Sequence, residues 1–153
     1  MAFVDKDEDG DRFANLTLAV GPGRANLRDD VALVQLLLIG HFATGGKIKG
    51  RPQTTSVDLG KIVLGTYDDD TGTLISDFQR AYLNRPKPEG YIQPATGKKK
   101  SRYTIWQLYS RMQVVLVLAH DPRANDVVEY LRAFPSLGSS LRQERQSLEV
   151  QTR

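Results

Sequence analysis

Apolar positions along the chain recur with two different periods, and the changes between them mark out the elements. Leu16, Leu18 and Val20 alternate with Thr17 and Ala19, the spacing of a short half-buried strand, and Gly21-Pro22-Gly23 ends it. Val31, Val34, Leu37 and Leu38 then recur at helical spacing. Asp29 or Asp30 is placed to cap the first turn and Gly40 to stop the helix, which predicts a first helix over about 29–39. Leu74, Ile75, Phe78 and Tyr82 mark one face of a second helix, entered through Asp68, Asp69, Asp70 and Thr71 and ended by Asn84 and Pro86. Ile105, Leu108, Tyr109, Met112, Val115, Leu116 and Ala119 trace a wide apolar stripe, which predicts the third helix as the longest and most buried. Asp121-Pro122 closes it. Asn125 or Asp126 then starts a short fourth helix carrying Val127, Val128 and Leu131, stopped by Pro135.

Between these elements the pattern is broken. The acidic start up to Arg12 reads as a solvated leader. Residues 41–61 carry Lys47, Lys49, Arg51 and Lys61 against Asp58, with Gly45, Gly46, Gly50 and Pro52 interrupting any period, and read as a long loop. A short strand at Ile62 to Leu64 follows it. From Ser136 the chain is mostly polar, with Leu137, Leu141 and Leu148 as its few anchors, which fits a docked helix or a frayed tail. The expected division is 1–28, leader and short strand; 29–120, a helical domain with the 41–61 loop; and 121–153, a helical extension and tail. Its core joins Val34, Leu38, Leu74, Phe78, Leu108 and Met112.

Composition narrows the function classes. With 153 residues, 40% hydrophobic, 25% charged and a net charge of +3, the chain has the make-up of an ordinary globular domain. No run approaches the roughly 20 apolar residues of a membrane span, so no membrane insertion is expected. The acidic first residues do not resemble a secretory signal, which predicts cytoplasmic location at synthesis. The absence of cysteine excludes disulfides, thiolate nucleophiles and thiolate metal sites. His41 and His120 stand far apart in sequence. Lys98, Lys99, Lys100 and Arg102 beside Tyr103 form a basic run with no nucleic-acid motif around it, so a solvated loop is expected and no nucleic-acid partner. Asp68 to Asp70 suit a hard cation, but the spaced calcium loop and its closing glutamate are missing there. Acids at the positive end of a helix dipole are the plainer account. No nucleophile elbow, zinc helix or phosphate loop is present, and Asp69 and Asp70 with Glu89 are the nearest thing to paired catalytic acids. The chain is therefore expected to be non-catalytic, without cofactor or metal.

Asp30-Val31 with Val34-Gln35 and Leu38, then Gly65, Tyr67 and Thr71 leading to Phe78-Gln79, then Glu89-Gly90 with Pro94 and Thr96, form a spaced series. This series resembles the small three-helix peptidoglycan-binding domain that accompanies many bacterial cell-wall hydrolases, over roughly residues 29–112. The chain departs from that pattern at Leu64, Asp68, Leu74 and Gln93, and by its longer 41–61 segment. The resemblance implies a mainly α fold: a three-helix peptidoglycan-binding-like bundle, here with a short N-terminal strand and a C-terminal helical extension. Read physically, Gly65 and Gly90 give tight turns, while the amides of Gln35 and Gln79 can tie neighbouring turns.

The resemblance implies non-catalytic binding of peptidoglycan, its glycan or its stem peptide. A groove between the start of the second helix and the 90–96 turn would bring Tyr67, Asp69, Asp70, Arg80, Tyr91 and Gln93 to one ligand, the aromatics against sugar rings and Arg80 against peptide carboxylates. The alternative is an adaptor or accessory protein of a contractile injection system, of type VI secretion or phage-tail kind, that reuses the fold for protein contact. Its partner would be a secretion-system or tail protein, and such a machine could deliver the chain to the periplasm or outside without a signal.

Overall fold

In a computed structural model the chain is described from residue 2 to residue 142, so Leu148 and the expected tail from residue 143 onward lie outside the described residues. The fold is mainly helical with a short N-terminal two-stranded hairpin.

The acidic start is that hairpin rather than a solvated leader. Strand β1 (Phe3–Lys6) pairs antiparallel with β2 (Arg12–Asn15), Val4 opposite Ala14. The turn is closed by Asp7, whose Oδ1 accepts the amides of Asp9 (2.9 Å) and Asp11 (3.0 Å). Val4, Phe13 and Ala14 are buried, so the hairpin belongs to the core. Leu16 to Val20 does not form the expected strand. Leu16 and Val20 are buried, but Leu18 is exposed, and only Val20 makes a bridge, to Ile92 through bonds of 3.0 and 2.8 Å.

Helix α1 (Arg28–Thr44) is longer than its periodicity suggests and, at 17 residues, outruns the third helix. Gly40 does not stop it. A Cβ there would sit 2.5 Å from Met112 Cε, so this glycine lets another helix approach, and the helix ends at Gly45, where φ is +65°. Nor do the acids cap it: the N-cap is Leu27, without a side-chain bond. Asp30 instead reaches back to the amides of Thr17 and Leu18 (3.2 and 3.0 Å), and burial raises its carboxyl above the usual range.

The 41–61 segment is more ordered than a plain loop. After the end of α1 come the two-residue strands β3 (Lys47–Ile48) and β4 (Arg51–Pro52) and a 3₁₀ turn at Leu59–Lys61. No strand forms at 62–64. Helix α2 (Asp69–Ala81) begins where expected, with the Asp68 carboxylate accepting the amide of Thr71 at 2.9 Å. Helices α3 (Thr104–Leu118) and α4 (Val127–Arg132) follow, α4 capped by Asp126. Val34, Leu38, Leu74, Phe78, Leu108 and Met112 are all buried at 2% exposure or less, as their shared helical faces predict. The hairpin, α4, Leu137 and Leu141 bury side chains in the same core. No helix among the described residues is long and apolar enough to cross a membrane.

Candidate functional site

Two buried glutamines fix the turns from which a site can be built. Gln35, on α1, accepts the amide of Gly65 (2.8 Å) and donates to Val63 O, Thr66 O and Thr71 Oγ1 (3.1, 2.9 and 3.0 Å). Gln79, on α2, accepts the amide of Gly90 (2.9 Å) and donates to Tyr91 O (3.0 Å). Both glycines are left-handed, with φ of +89° and +80°. The same joint is thus made twice, each helix holding the turn that precedes or faces its successor, and both the oxygen and the nitrogen of each amide have a partner, as burial requires. A third clamp completes the second turn: the Asn15 amide bonds both the N–H and the C=O of Ala95, each at 2.9 Å.

These joints divide the six residues of the expected groove between the two ends of α2. Tyr67, Asp69 and Asp70 lie at its start. Tyr67 is half-buried over Gly72, where a Cβ would come within 2.6 Å of its hydroxyl, and burial with Asp69 and Asp68 nearby raises the phenol's pKa. Asp69 and Asp70 are exposed first-turn acids. Arg80 is near the other end, roughly 15 Å further along the axis at 1.5 Å per residue, exposed and paired with Asp77 at 3.2 Å. One small ligand does not span that distance.

Tyr91 and Gln93 are brought together. The Gln93 amide donates to the Tyr91 hydroxyl (3.3 Å), and both line a cleft of about 280 Å³ with Arg85, Glu89, Arg102 and Tyr103. Arg85 pairs with Glu89 at 2.9 Å, which leaves Arg102 as the cation of this cleft with no ion pair among the described residues. The Arg24 guanidinium covers one face of Tyr91, 4.0 Å from the ring centre. Arg102 and Tyr103 belong to the basic run that reads as solvent-facing in sequence. They are held in place by the acidic hairpin: Lys100 Nζ pairs with Asp5 (3.0 Å), and Ser101 donates its amide and hydroxyl to Glu8 (3.1 and 2.6 Å). Two oppositely charged runs, far apart in sequence, were the available signal.

His41 is fully buried and serves the core. Its Nε2 bonds Gln53 Oε1 (2.9 Å), its Nδ1 accepts from Arg111 Nε (3.1 Å), and its ring packs edge-on against Phe78, Phe42 and Tyr82. Burial, with the Arg111 charge, lowers its pKa to about 4. A neutral imidazole donating from Nε2 satisfies both contacts. Asp7, Asp9 and Asp11 place carboxylate oxygens within 4.8 Å of one another at the hairpin turn, whereas Asp68 is occupied by its cap. Compared with protein-family models, curated proteins and solved structures, the chain finds no match.

Proposed function

We propose that this protein binds bacterial cell-wall peptidoglycan without cleaving it, using the cleft at Tyr91, Gln93 and Arg102. The observation that carries the reading is the doubled glutamine–glycine joint. Gln35 with Gly65 and Gln79 with Gly90 are among the residues through which the sequence resembles the wall-binding module, and they are bonded to each other in pairs at the heart of the fold. The cleft that opens beside the second joint has suitable chemistry. Arg102 offers a planar fork to a stem-peptide carboxylate, and Tyr91 and Tyr103 offer ring surface to a sugar. The expected groove is accordingly redrawn: Tyr91 and Gln93 stay, Arg85, Arg102 and Tyr103 join them, Tyr67, Asp69 and Asp70 lie at the opposite end of α2, and Arg80 does not line the cleft.

The adaptor reading is favoured by a different feature. Val114, Val117 and Leu118 share one face of α3 by their spacing and are 46%, 56% and 58% exposed. Co-sedimentation with purified sacculi separates the two readings. Wall binding predicts that the protein pellets with sacculi and that Arg102→Ala releases it. Folded protein that stays in the supernatant at low salt would leave the adaptor, whose contact Val117→Glu should break.

A further inference from the structure

A second cleft, on different elements, is larger. It lies between the hairpin turn, the outer face of α3 and the start of α4, has a volume of about 430 Å³, and falls within the range of about 300–1,000 Å³ usual for small-molecule sites. We propose that this cleft binds a neutral saccharide, independently of the wall-binding reading.

The argument rests on what lines the cleft and on which of those groups are already engaged. Trp106 and Tyr109 supply aromatic wall. The Trp106 ring is held in one orientation by its Nε1–H bond to Asp7 Oδ2 (2.9 Å), so its surface toward the cleft is fixed before any ligand arrives. Tyr109 is fixed as well, packing edge-on to Phe13 with centroids 6.3 Å apart.

Charge excludes an anion, since Asp7, Asp11 and Asp126 face a single guanidinium, Arg12. It does not build a cation site either. Both oxygens of Asp7 are engaged, by Trp106 and by the amides of Asp9 and Asp11, and Asp126 accepts the amide of Glu129 at 3.1 Å with one oxygen, which leaves Asp11, exposed to solvent, as the acid whose carboxylate makes no hydrogen bond among the described residues; one exposed carboxylate attracts a cation only weakly. Besides Asp11, the lining side chains that make no hydrogen bond among the described residues include Ser110, Gln113 and Asn125, three uncharged groups that both donate and accept. Uncharged donors and acceptors beside a fixed aromatic surface match the hydroxyls and the apolar C–H face of a pyranose ring.

The chain has one tryptophan, so its fluorescence reports this cleft alone. Titration with cellobiose and with N,N′-diacetylchitobiose at millimolar concentrations should give a saturable change in emission for at least one of them. The double variant Gln113→Ala/Asn125→Ala removes only side chains without partners, so it should keep the parent's melting temperature and weaken binding about tenfold, the loss of a typical hydrogen bond or two. Saturation-transfer NMR on the sugar supplies a readout that does not depend on the indole. No response to either sugar by both methods, a response unchanged in the double variant, or a response to putrescine with none to the sugars would each overturn the proposal.

Discussion

Arg111 donates its Nε–H to Nδ1 of His41 across 3.1 Å, so a permanent cation faces an imidazole inside the core. Protonating that nitrogen would break the bond and set two positive charges together. Burial of the ring, with this charge as a smaller cause, holds the folded-state pKa at about 4, below the ordinary value of 6.5. For a histidine shifted down, the unfolded chain binds the proton first as pH falls. Stability from this residue is complete above about pH 6.5, falls between there and about pH 4, and then levels off, by about 3 kcal/mol in all. Asp30, whose carboxyl is raised by burial, acts in the opposite sense nearer its own range. An NMR titration of the His41 ring isolates the effect. A midpoint near 6 would show that the imidazole is not held neutral.

Loss of either glutamine joint strands backbone groups away from water. Gln79→Ala leaves the Gly90 amide and Tyr91 carbonyl without partners and should cost roughly 2–3 kcal/mol. Gln35→Ala removes four bonds rather than two and should cost more. Urea denaturation of both variants checks the order. If Gln35→Ala proves the milder of the two, the first joint is not the firmer one.

Two glycines look alike in sequence and differ in what surrounds them. At Gly21 a Cβ would meet the Tyr91 Cβ at 2.4 Å and its Cα at 2.9 Å, and the backbone there cannot retreat without breaking the Val20–Ile92 bridge. At Gly40 the obstacle is Met112 Cε, the far end of a flexible side chain, and the residue is interior to a helix, where alanine gains up to about 1 kcal/mol over glycine. Gly21→Ala should therefore destabilise by about 2 kcal/mol or more, while Gly40→Ala stays within about 1 kcal/mol of the parent. Thermal melts of the two variants decide it, and equal melting temperatures would count against the close approach at Tyr91.

The helices were legible because each carries enough turns for its apolar face to show: Leu74, Ile75 and Phe78 could be placed without a structure. The hairpin was not. Its strands are four residues long, and the acids that made it look solvated are bonded, Asp5 to Lys100 and Glu8 to Ser101. Gly40 reads as a helix stop because spacing along one helix does not show how closely another approaches. For the site, Tyr91 and Gln93 could be read from their turn. Arg102 and Tyr103 could not, since their position depends on contacts with residues more than ninety places away in the chain.

The division of α2 into two ends gives the sharpest test of where wall material sits. If ligand lies in the cleft at its far end, Tyr91→Ala and Arg102→Ala should each reduce the fraction of protein that pellets with sacculi several-fold. Tyr67→Ala and Asp70→Ala, at the opposite end of α2, should leave it unchanged. Arg80→Ala is informative because Arg80 is exposed and, among the described residues, tied only to Asp77, so its loss should alter neither stability nor binding. Tyr91→Ala also removes the Arg24 contact, so circular dichroism must first show that the turn is retained. Raising the salt should weaken binding in part, because the Arg102 contribution is screened while ring contacts are not. A pattern in which Asp70→Ala releases the protein and Arg102→Ala does not would move the site to the start of α2.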